Sequence, residues 1–141
     1  MTTTAKAIVL WALVAPLMLC HSALAGPTWL CTIASAVAVD EDGTVGPPDL
    51  DGLERPTFLR VDADKKELTL LAPASRAGEV TKIEVVREVD GQWIFSGVEQ
   101  ERPWSLIIAP KGQMTLSVAN DGSVWSVFGH ALVETETPAR H

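Results

Sequence analysis

Cysteine is almost missing from this chain. There are two, Cys20 and Cys31, and Cys20 falls in an N-terminal segment that reads as a cleaved leader. Cys31 is then alone, which excludes an intramolecular disulfide. Stability must come from the core, and the chain is one domain's worth, long enough to bury a core unaided. Cys31 itself reads as a small buried hydrophobe, since unpaired cysteine is among the most buried residue types.

Long hydrophobic runs are also absent. The longest, residues 7–19, has about 13 residues, short of the roughly 20 a helix needs to span a bilayer. Lys6 precedes it, and Ala23 and Ala25 after it supply the small residues of an A-x-A cleavage site, so residues 1–25 read as a secretory signal peptide. Lipidation at Cys20 is a weaker reading, because bulky Leu19 stands where a small residue is usual.

Positive charge is scarce. Removing residues 1–25 leaves 10 basic against 18 acidic side chains on 116 residues, a formal charge of −8. The cations are scattered, which argues against nucleic acid as a partner. The acidity reads as a solubility device.

Catalytic signatures are lacking as well. There is no tyrosine, and His130 and His141 have no Cys or His neighbours at metal-ligand spacing. No G-x-S-x-G elbow occurs. Asp40, Asp42, Asp49, Asp51 and Glu54 do not follow the calcium-loop spacing of an EF-hand, and Asp-x-Asp-Gly is what turns use. Glu99 and Glu101 share a strand-like spacing but read as a solvated loop. No catalytic, cofactor or metal residue is assigned, and an enzyme is not expected.

What is present is a rhythm of short apolar strands and glycine turns. The stretch 104–128, WSLIIAPKGQMTLSVANDGSVWSVF, reads as three antiparallel strands. A loop of Pro110, Lys111 and Gly112 pairs Ile108 with Met114, Leu106 with Leu116 and Trp104 with Val118, putting six large apolar side chains on one face. A two-residue Asp121-Gly122 turn of type I′ would bring Trp125 and Val127 to that face; a three-residue turn would bring Val124 and Phe128 instead. In FLRVD-ADKK-ELTLLAP, a four-residue loop opposes Leu59 to Leu70 and Val61 to Leu68, with all four aliphatics together. In KIEVVREVDGQWIFSG, a three-residue turn at 89–91 is preferred to Asp90-Gly91 alone. It sets Val85 against Phe95 and gathers Ile83, Val85, Trp93 and Phe95 on one face.

The run 29–39, WLCTIASAVAV, fits a strand buried on both faces or a short helix. Residues 40–56 read as a long Pro/Gly/Asp surface loop, and 134–141 as a disordered tail. The domain therefore spans 26–133.

Strands are expected at about 29–39, 57–62, 67–72, 81–88, 92–98, 103–109, 113–119 and 123–129. These eight form an all-β, single antiparallel meander, expected to close into an up-and-down small barrel; a two-sheet β-sandwich is the alternative. The plan resembles lipocalin-type small barrels in strand count and topology. No lipocalin signature is present, so no family function follows.

Trp93, Phe95, Trp104 and Trp125 are the candidate pocket-lining residues. They either fill the barrel or wall an apolar-ligand cavity. The function expected is a secreted or periplasmic, non-enzymatic binding module for an unknown small apolar molecule or partner protein. The alternatives are an exported inhibitor of a foreign hydrolase, acting through a loop such as 40–56 or 73–80, and a structural envelope protein. No cofactor and a monomeric state are expected.

Overall fold

A computed structural model describes residues 25–135. The readings of the signal peptide, Cys20, His141 and the end of the tail fall outside these residues. Ten strands follow in order: β1 (Thr28–Asp40), β2 (Val45–Gly46), β3 (Phe58–Asp62), β4 (Glu67–Ala72), β5 (Val80–Lys82), β6 (Val85–Val89), β7 (Gln92–Glu99), β8 (Arg102–Ile108), β9 (Gln113–Asn120) and β10 (Ser123–Val133). No helix among the described residues is long and apolar enough to cross a membrane.

All the pairings are antiparallel, and the sheet runs β5-β4-β3-β1-β10-β9-β8-β7-β6, with β2 a short addition to β1. Its two ends, β5 and β6, are consecutive pieces of one chain segment. Between them the Ile83 amide donates to the Lys66 carbonyl at 2.8 Å and the Glu84 amide to that of Ser96 at 2.9 Å. One kinked strand thus turns from β4 to β7, and the curled sheet meets itself there. The all-β meander is the architecture expected from the strand and turn pattern.

Three registers agree with side-chain period. Leu59 opposes Leu70 and Val61 opposes Leu68. Trp104 opposes Val118, Leu106 opposes Leu116 and Ile108 opposes Met114. Trp125 opposes Val118, so the Asp121-Gly122 turn holds. That turn is not type I′, however, because only Gly122 (φ 71°) is left-handed.

The β6–β7 register differs from expectation. Val85 pairs with Ser96, Val86 with Phe95 and Glu88 with Trp93, through a two-residue turn in which Asp90 (φ 53°) and Gly91 (φ 77°) are both left-handed. Strict alternation from Ile83 would place Val85 inside. The kink at 83–84 shifts the phase, so Ile83 is buried, Val86 packs against the core, and Val85 stays exposed. Glu88 tolerates Trp93 opposite it because it lies at the exposed end of the strand.

The run 29–39 is a strand, but one buried on a single face. A register shift between Ile33 and Ser35 changes its phase too. Trp29, Cys31 and Ile33 face the core before the shift, and Ala36 and Ala38 point inward after it. Its outward apolar residues, such as Val39, meet outward partners on β10, here Val124. Opposite the shift, Gly129 lies so close to the Thr32 carbonyl that no side chain fits. Residue 134, assigned to the tail by composition, is tied down: Arg60 makes a two-pronged pair with Glu134 at 2.9 Å.

Cys31 is fully buried and unpaired. Burial pushes its thiol from an ordinary 9.0 up to about 12. This preference for the neutral thiol supports the fold fully below the ordinary value, and the support is lost as the pH climbs from about 9 towards about 12. Native protein at pH 8 should resist alkylation by iodoacetamide, while urea-unfolded protein reacts at the rate of a free thiol. Fast labelling of the native protein would mean that β1 opens.

Candidate functional site

The barrel interior is built in layers across the strands. At one end, Trp93, Ile108 and Met114 face Gly129 and Ile33 in one row. Trp29 enters from β1 and makes an edge contact with Trp93 at 5.0 Å and with Phe95 at 5.4 Å, while Trp93 and Phe95 stack at 6.2 Å. This aromatic plug, with Met114 and Ile108, fills the end that carries the turns at 63–66, 90–91 and 110–112.

The opposite end is hollow. Across it run Gly97, Trp104, Val118, Trp125 and Ala38, each opposite the next on the neighbouring strand. The alternation of small and large residues has a steric reason. The Trp104 ring lies over Gly97, with its Cζ2 3.0 Å from where a Cβ would stand, so any larger residue at 97 would displace it. On β1 the small Ala36 lines the open half beside Ile33, where the plugged half has the Trp29 ring. The resulting cavity is about 470 Å³, within the range of small-molecule sites.

Its inner wall is apolar and includes Leu59, Leu70, Trp104, Leu116, Trp125 and Val127. The four aromatic residues singled out in sequence therefore separate: Trp104 and Trp125 line the cavity, whereas Trp93 and Phe95 belong to the plug. Trp29 completes that plug and was missed as an aromatic partner. Its inward phase with Cys31 and Ile33 was the available signal. Trp104 Nε1 is buried in the wall without a hydrogen-bond partner, a loss of about 1–3 kcal/mol for an unmet donor.

The mouth is made by loop 47–56, the 3₁₀ turn at Ala74–Arg76, and the β7–β8 turn. Pro48, Leu50, Leu53, Arg55 and Pro56 all line the cavity, so this loop covers the opening. The aspartates of 40–56 act as turn caps, with the Thr44 amide donating to Asp42 at 2.8 Å and the Asp51 amide to Asp49 at 3.0 Å. The Arg76 side chain donates to the Glu54 carbonyl, and the Ser75 hydroxyl to the Glu54 carboxylate, joining the loop to the 3₁₀ turn. The Arg76 guanidinium also holds the Glu79 carboxyl below the usual carboxylate range, at 2.7 Å.

Glu99 and Glu101 occupy different settings. Glu99 ends β7 at the cavity rim and accepts from the Thr81 hydroxyl at 3.0 Å. Glu101 sits in the exposed turn beside Gln100, where both are left-handed (φ 65° and 49°). Two non-glycine residues in that conformation are costly, and the turn they form delivers Arg102 to the mouth. The Arg102 guanidinium carbon stands 5.8 Å from the centre of the Trp125 ring. His130 is exposed, and among the described residues no group of three or more acidic, His or Cys side chains is placed to hold a metal ion.

No protein-family model, curated protein or solved structure matches this chain.

Proposed function

We propose that this is an exported, non-enzymatic binding module that carries a small apolar molecule inside the open half of its barrel. The observation that carries this reading is the unequal filling of the interior. Aromatic rings close one end, while a cavity of about 470 Å³ stays open at the other, walled by Ala36 and larger apolar side chains. Core packing normally leaves few voids larger than a water molecule, so a hollow of this size with an apolar wall suits an occupant. The signal-peptide pattern supports export.

Residues 40–56 could be imagined as an inhibitory loop. Their inward-facing Leu50, Pro48 and Pro56 suit a cover over the cavity better than a surface presented to a hydrolase.

The test is titration with N-phenyl-1-naphthylamine, a neutral probe whose emission rises in apolar surroundings. Saturable binding of one probe per chain, with energy transfer from tryptophan, is the expected result. No saturable binding would remove the reading.

A further inference from the structure

Resting on the reading of the cavity as an apolar-ligand site, we propose that its occupant is an amphiphile with a carboxylate head, which Arg102 receives at the mouth while the apolar body fills the interior. In this acidic protein Arg55, Arg76 and Arg102 all line this one cavity, together with Asp51, Glu79 and Glu99. Arg76 is committed to Glu79 at 2.7 Å. Arg102 takes part in no ion pair among the described residues, and its one side-chain hydrogen bond, to Gln100 Oε1, is long at 3.5 Å.

Its position is nevertheless defined. The guanidinium lies over Trp125, 5.8 Å from the ring centre, which holds the charge at the mouth through a cation–π contact. The N–H edge keeps donors to spare, and a guanidinium fork matches a carboxylate in two parallel hydrogen bonds. The same Trp125 ring forms part of the apolar wall, so one residue joins the head site to the body site. The negative groups nearby set a limit. Glu79 is paired with Arg76, and Glu99 accepts from the Thr81 hydroxyl but keeps its charge at the rim; Asp51 lines both this cavity and a neighbouring depression, which Asp40 and Asp49 also line. A head of one negative charge is met by Arg102; a more highly charged head would face those aspartates.

The experiment displaces N-phenyl-1-naphthylamine with decanoic acid or with 1-decanol at pH 7.5, using the full chain and its Arg102→Gln variant. The expected result is that the acid competes about tenfold better than the alcohol. In Arg102→Gln the acid weakens to the level of the alcohol, whose own competition and the probe's binding stay unchanged, showing that the variant is folded. Added sodium chloride should weaken the acid alone. Equal competition by acid and alcohol in the unaltered protein overturns the carboxylate assignment and leaves the apolar site standing. A preference for acid that survives Arg102→Gln overturns the role of Arg102. Failure of the probe itself to bind removes the underlying reading and this proposal with it.

Discussion

Gly112→Val is expected to destabilise the domain by about 4 kcal/mol, combining a left-handed β-branched residue with overpacking. Gly112 has φ 87°, and a Cβ there would stand 2.6 Å from the Ala131 carbonyl oxygen. That oxygen is on backbone and cannot rotate away. The Ala131 amide also donates to the Gly112 carbonyl at 2.7 Å, so the turn is clasped to β10. Moving it would pull on the plugged end, where Met114 and Ile108 pack. Gly91 supplies the control. It too is left-handed, at φ 77°, but its Cβ would meet only the Pro110 ring at an ordinary 3.5 Å. Gly91→Val should therefore cost about half as much, from backbone conformation alone. Urea denaturation midpoints measure both, and equal losses would show that the clasp on Ala131 contributes nothing.

Ala36→Phe should weaken probe binding by at least about tenfold, the loss of some 1.4 kcal/mol, while the thermal midpoint stays level or rises. Ala36 faces inward opposite Val127 and lines the cavity. A phenyl ring there occupies space that the fold leaves open, so it adds apolar contacts at little steric cost. In a packed core the same change would cost about 1–3 kcal/mol through strain. The two outcomes move in opposite directions. Lost binding with a retained melting temperature locates the ligand in the barrel; lost stability would mean that the interior is already full.

Much of the fold was legible because side-chain period and turn chemistry agree along most of the chain. Pro110-Lys111-Gly112 set the β8–β9 register, and FLRVD with ELTLL admitted one pairing that gathered its aliphatics. The register errors fall where a strand changes phase. At Ile83–Glu84 the chain passes from one neighbouring strand to another, and at Ile33–Ser35 β1 bulges. Each break lets residues of opposite parity face the same side. Local alternation cannot reveal that, because the cause lies in strands far away in sequence.

The site was half legible. Inward-facing tryptophans could be identified, but whether they fill or line depends on what stands beside them around the barrel. Trp104 lies against Gly97, and Trp125 is opposite Ala38. Trp93 and Phe95 meet Trp29, across a contact that joins the first strand to the seventh. The mouth was hidden for a similar reason. Residues 40–56 read as surface loop by composition, and only the closing of the barrel puts Leu50 and Pro56 over the opening.

The division of one barrel into a plugged half and an open half can be tested through its indole N–H signals in a ¹H–¹⁵N spectrum, assigned by single Trp→Phe variants. On adding N-phenyl-1-naphthylamine, the signals of Trp104 and Trp125 should shift and saturate together, while those of Trp29 and Trp93 hold their positions. Saturable shifts at Trp29 and Trp93, with Trp104 and Trp125 unmoved, would contradict the account.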